Sequence, residues 1–123
     1  MKNHHRSALP KISLLLLSLI WFNQAAPADN DFIKAAEQAW PMIENGALLV
    51  DVRTAQEYVA EHLEGAINIP HDQTNTLMAA IGNDKQREVV FYCRTGNRVG
   101  KAMVILKSKG YTGIFNAKSF TTL

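Results

Sequence analysis

The chain has 123 residues, with thirteen Lys and Arg against eleven Asp and Glu, four histidines and one cysteine. A formal charge of +2 is too small a basic surplus to argue for a nucleic-acid partner. One cysteine cannot close a disulfide within the chain, so the thiol is either buried and inert or kept for its reactivity.

Residues 1–28 have the order of a secretory signal peptide. Lys2, His4, His5, Arg6 and Lys11 make a basic leader, Ile12 to Phe22 is an uncharged apolar run, and Ala26-Pro27-Ala28 has the small-x-small pattern of a cleavage site. The apolar run is too short for a membrane crossing, which takes about 20 helical residues. No cysteine follows it closely to carry a lipid, and no Arg-Arg pair suggests twin-arginine export. Cleavage after Ala28 is expected to leave Asp29 to Leu123 as a single domain, free of the membrane. Without the leader's three basic residues, ten Lys and Arg face eleven Asp and Glu, a charge of −1. The expected partners are small molecules or proteins, with neither nucleic acid nor membrane among them. The sequence carries no signal for an oligomeric state.

Asp29 to Asn45 reads as helix, with Phe32, Ala35, Ala36, Ala39 and Trp40 as apolar positions and Gly46 beyond its end. Pro41 is expected to divide it into two short pieces. Ala47 to Val52 is a continuous apolar run with one acid, the pattern of a strand covered on both faces. Thr54-Ala55-Gln56-Glu57 is a capping box opening a short helix to about Glu61. Gly65 turns the chain into a short strand, Ala66 to Ile69, closed by Pro70. A polar-capped helix is expected from Asp72 to Ile81, then a charged loop and a strand over Glu88 to Tyr92. Helix resumes from Arg98 to Lys109, capped by Gly110, and Gly113 to Asn116 forms a last strand. Strands alternating with helices at such short intervals imply an α/β fold, a small parallel sheet with helices on both faces. Ligands collect at the carboxyl ends of such strands, where Cys93 and Asp51 to Arg53 lie.

The cysteine opens the segment Cys93-Arg94-Thr95-Gly96-Asn97-Arg98, between an apolar strand and a helix. A thiol there faces free backbone N–H groups and the positive end of the helix dipole. Gly96 supplies the positive φ that lets a loop wrap several amides around one point. Arg94 and Arg98 add fixed positive charge. This combination favours a thiolate nucleophile and an anion held against it.

Cys93-Arg94-Thr95-Gly96-Asn97-Arg98 resembles the rhodanese active-site pattern Cys-Arg-x-Gly-x-Arg/Thr at all four specified positions. Leu49-Val50-Asp51-Val52-Arg53, Glu57-Tyr58, His62 and Gly65-Ala66-Ile67-Asn68-Ile69-Pro70 are similar to the rhodanese N-terminal signature. The likeness covers about residues 46–117 and, with the leader, points to small single-domain periplasmic rhodaneses. It implies a rhodanese-like fold, a periplasmic location and sulfur transfer from thiosulfate to cyanide or a thiol through a Cys93 persulfide. Arg94, Thr95, Gly96, Asn97 and Arg98 would bind the substrate anion, and the two arginines would stabilise departing sulfite.

Asp51, Arg53 and Glu57 are expected to be structural support. Arg53 and Glu57, four apart, are placed to pair, and Asp51 to accept backbone N–H bonds. His62 and His71 are expected to be structural too. One cysteine and two histidines beyond the leader offer no metal-ligand spacing, and no cofactor is implied. Two other readings remain: a non-catalytic rhodanese-like binding module, and a Cys-dependent phosphatase. Phosphatase loops hold five residues between Cys and Arg, and this loop holds four, Arg94 to Asn97. The absence of Cys-x-x-Cys excludes thiol–disulfide exchange of the usual kind. The pattern departs at Asn116-Ala117-Lys118-Ser119, where rhodaneses carry Gly-Gly, so an atypical or truncated C-terminal end is expected.

Overall fold

The computed structural model describes residues 27–123, so residues 1–26 of the expected leader, its apolar run among them, lie outside the described residues, and Pro27 and Ala28 fall in the first helix. Among the described residues no helix is long and apolar enough to cross a membrane. Four parallel strands form one sheet in the order β2-β1-β3-β4: β1 Leu48–Asp51, β2 Ile67–Asn68, β3 Val89–Cys93 and β4 Ile114–Ser119. The helices α1 (Pro27–Glu44), α2 (Ala55–Ala60), α3 (Thr74–Ile81) and α4 (Asn97–Ser108) alternate with them.

β3 lies inside the sheet and all five of its residues are buried, so its two faces define two cores. Val89, Phe91 and Cys93 pack with Leu77 and Ile81 of α3 and with Val99, Ala102 and Leu106 of α4. Val90 and Tyr92 point the other way, onto Ala39, Met42 and Ile43 of α1 and Tyr58 of α2. This period-2 division on a strand apolar throughout is what a sheet sandwiched between helices requires. Gly113 enters β4 where the chain brushes the preceding loop. A Cβ there would stand 2.3 Å from the Arg87 carbonyl oxygen, so no other residue fits without moving backbone.

Several boundaries differ from the sequence expectation. α1 is one helix through Pro41, not two pieces. Proline removes the bond to the Glu37 carbonyl, but Glu37 and Pro41 both lie on the exposed side, where water can satisfy that oxygen. Trp40 also faces outward, 39% exposed, and Met42 and Ile43 take the inner positions instead. α3 begins at Thr74 without a side-chain cap, because His71 and Asp72 are spent in a turn closed by the Gln73 N–H donating to the Pro70 carbonyl. β4 runs three residues past Asn116, through Lys118 and Ser119, and leads into a 3-10 turn, Phe120–Thr122.

Candidate active site

β1 and β3 are neighbours in the sheet, with Asp51 opposite Tyr92, so their carboxyl ends open onto one edge. Cys93 is the last residue of β3, and α4 starts four residues later. The turn between them works because Gly96 takes φ +93°. That folds the loop back so that the Gly96 N–H donates to Cys93 Sγ at 3.0 Å. Gly96 is also the N-cap of α4, whose first turn holds no acid of its own, so the helix start presents free amides beside the thiol. The thiol itself is fully buried. Thr95 and Asn97 are exposed, and their side chains make no hydrogen bond among the described residues.

The two loop arginines differ. Arg94 is 77% exposed, and its Nε stands 3.9 Å from Glu57 Oε2. Arg98 is held: its Nη1 donates to Glu57 Oε1 at 2.7 Å and its Nη2 to Oε2 at 3.2 Å. That forked pair holds the Glu57 carboxyl down to about 2, and the same contact raises Arg98, with Cys93 a smaller contributor. Glu57 thus answers the active loop and not Arg53, the partner expected from the i, i+4 spacing. It sits in the capping box of α2 at the same time.

Arg53 turns to Asp51 instead. Its Nε lies 3.0 Å from both carboxylate oxygens, and its Nη2 donates to Oδ2 at 2.7 Å and to the Glu61 carbonyl at 2.6 Å. Asp51 also accepts the Arg53 backbone N–H, at 2.9 Å. Both side chains are nearly inaccessible, and the guanidinium lies 4.5 Å from the Phe120 ring centroid and 5.6 Å from that of Tyr92. Burial pushes the Tyr92 hydroxyl up to about 12, so it stays neutral and accepts the Leu63 N–H. His62 closes the end of α2, its Nδ1 2.7 Å from the Tyr58 carbonyl and its ring stacked on Tyr58.

Between α2 and the C-terminal turn is an open cleft of about 380 Å³, lined by Arg53, Glu57, Glu61, Arg94 and Phe120 among others. The fold therefore brings Cys93, Arg94, Gly96, Arg98 and Glu57 together, with Asp51 and Arg53 beneath. Sequence reasoning missed three contributors. Asn68 Nδ2 donates to the Asp51 and Arg53 carbonyls, Phe120 covers Arg53, and Asn116 Nδ2 donates to the Gly96 carbonyl. Only the amide chemistry of the two asparagines was a clue, and it named no partner. Among the described residues, no three His, Cys, Asp or Glu side chains converge as a metal site would need.

The chain is similar to several known proteins. The chain is 41% identical over 68 residues to the thiosulfate sulfurtransferase PspE of Escherichia coli, covering 55% of this chain and 65% of that protein. It is 30% identical over 89 residues to the tRNA uridine(34) hydroxylase of Erwinia tasmaniensis, 69% of this chain but 25% of that longer protein. A solved rhodanese with anions from E. coli superposes with a TM-score of 0.58 and 36% identity, covering 63% of this chain and 92% of the other. The pattern that describes rhodanese-like domains matches residues 35–119. That span contains all four strands and the whole cysteine loop, and the chain belongs to the rhodanese-like domain family.

Proposed function

We propose that this domain is a thiosulfate sulfurtransferase working through a persulfide on Cys93. The Cys93 thiolate attacks the outer sulfur of thiosulfate, the S–S bond breaks, and sulfite leaves with the bonding pair. Cyanide or a thiol then attacks the outer sulfur of the persulfide, leaving as thiocyanate or as a new persulfide and restoring the thiolate. The observation that carries this reading is the Gly96 N–H on Sγ at 3.0 Å, at the start of a helix with no acid in its first turn. An amide there stabilises a sulfur anion before attack and the persulfide anion after it.

The arginines have separate tasks in this reading. Exposed Arg94 meets the incoming dianion, while Arg98, already neutralised by Glu57, shapes the loop and shares in the charge of departing sulfite. Thr95 and Asn97 contribute backbone amides, since their side chains point to solvent. The reading needs no cofactor or metal. The leader of residues 1–28 and the likeness to PspE support export to the periplasm.

Intact-mass analysis after thiosulfate tests the proposal. A gain of one sulfur atom, reversed by cyanide and missing in Cys93→Ser, is the expected result. Hydrolysis of a phenyl phosphate ester without sulfur uptake would make it a phosphatase. An unchanged mass with neither activity would leave a binding module.

A further inference from the structure

We propose that Asn116 is a positioning residue for the thiol, holding the Gly96 backbone in the turn that aims its amide at Cys93 Sγ. The chain of contacts is short. The Lys118 N–H donates to Asn116 Oδ1 at 2.9 Å, Asn116 Nδ2 donates to the Gly96 carbonyl at 3.2 Å, and the Gly96 N–H donates to Sγ at 3.0 Å. Among the described residues this is the one side-chain hydrogen bond from β4 to the cysteine loop.

The backbone of β4 is built around it. Phe91 pairs with Asn116 but Cys93 pairs with Ser119, so Tyr92 alone faces both Ala117 and Lys118 in a bulge. Lys118 is the one non-glycine residue with positive φ among those described, at +66°. A side chain is unfavourable in that conformation and persists only where its surroundings hold it. The bond from Lys118 to Asn116 is part of that hold. Its effect is to press β4 against the loop: a Cβ on Gly96 would stand 3.2 Å from Asn116 Oδ1, Lys118 Cα and Lys118 Cγ. Bulges beside reactive centres re-aim side chains in this way. The carboxamide accepts from Lys118 with its oxygen and donates to Gly96 with its nitrogen, which neither a carboxylate nor an apolar side chain of this length can do. The role holds whatever sulfur chemistry the thiol performs.

Two near-isosteric variants separate the contributions. Asn116→Asp keeps the acceptor for Lys118 and loses the donor to Gly96, while Asn116→Leu loses both without adding charge. The readouts are amide hydrogen exchange at Gly96 and the pH profile of Cys93 alkylation by iodoacetamide. The charged groups around the thiol are Arg94 and Arg98 from the loop and α4, Glu57 from α2, the Asp51–Arg53 pair at the end of β1, and Lys118 from β4, whose ammonium is directed to Phe32 of α1. All remain in Asn116→Leu, so a change in its profile reports the amide. We expect Gly96 exchange to quicken about tenfold relative to β3 amides in both variants. In Asn116→Leu the alkylation midpoint should also move upward by about one pH unit, the same factor. Exchange and profile like wild type in either variant would overturn the proposal. So would faster exchange with an unmoved profile, which reduces Asn116 to a brace. Should Asn116→Leu fail to fold, Asn116→Ala, which also removes the amide without adding charge, takes its place in both readouts.

Discussion

At Gly96 two constraints meet in one residue. The backbone holds φ +93°, and the space where a side chain would go is already occupied at 3.2 Å by Asn116 and Lys118. Gly96→Ala therefore suffers twice, from the left-handed backbone and from the crowding. The backbone alone costs about 1–2 kcal/mol. Urea unfolding of Gly96→Ala should show at least that loss, and an unchanged midpoint would mean the loop relaxes freely. The turn was legible in the sequence, because a glycine between a strand end and a helix start has few other uses. The neighbours filling its missing Cβ were not, since they come from a strand twenty residues further on.

Among the elements, α2 shows how a short helix can serve a distant loop. Its capping box closes locally, with the Glu57 N–H donating to Thr54 Oγ1 and Glu57 Oε1 accepting from Thr54. The same carboxylate accepts both Nη groups of Arg98, so the start of α2 is tied to the start of α4. The Arg98 contact is the main reason the Glu57 carboxyl sits at about 2, down from 4.5. A depressed carboxyl adds stability that is complete above its unfolded value and is lost as pH falls through the folded one. Wild-type stability should thus decline between pH 4.5 and about 2 in part through Glu57. Glu57→Gln keeps the capping geometry but not the charge, so its stability curve should be flatter across that window. Parallel curves for the two proteins, followed by denaturant midpoint against pH, would remove Glu57 from the acid response.

Across the whole molecule, one buried ion pair joins parts that are far apart in sequence. Arg53 binds Asp51 at the end of β1, the Glu61 carbonyl at the end of α2, and the faces of Tyr92 and Phe120. Removing one partner of such a pair leaves an uncompensated charge in the interior, at a cost of about 3–5 kcal/mol. That is a large part of the roughly 5–15 kcal/mol that holds a small domain together. Asp51→Asn should lower the thermal midpoint by well over 10 °C, taking about 4–8 °C per kcal/mol for this size. A shift of only a few degrees would show that water reaches Arg53 and solvates it.

What the sequence determined by itself is what acts within a few residues: the alternation of strand and helix, the Thr54 cap, and a thiol placed between an apolar strand and a helix start. Period, capping and positive φ are local properties, and no tertiary contact is needed to read them. Pairing is a different matter. A guanidinium is satisfied by any carboxylate, so Arg53 four residues from Glu57 looked paired, yet it took Asp51 while Glu57 took Arg98, 41 positions away. Which partner each charge met, and that Asn116 reached Gly96 across a bulge, followed from strand register and burial, which only the folded chain possesses.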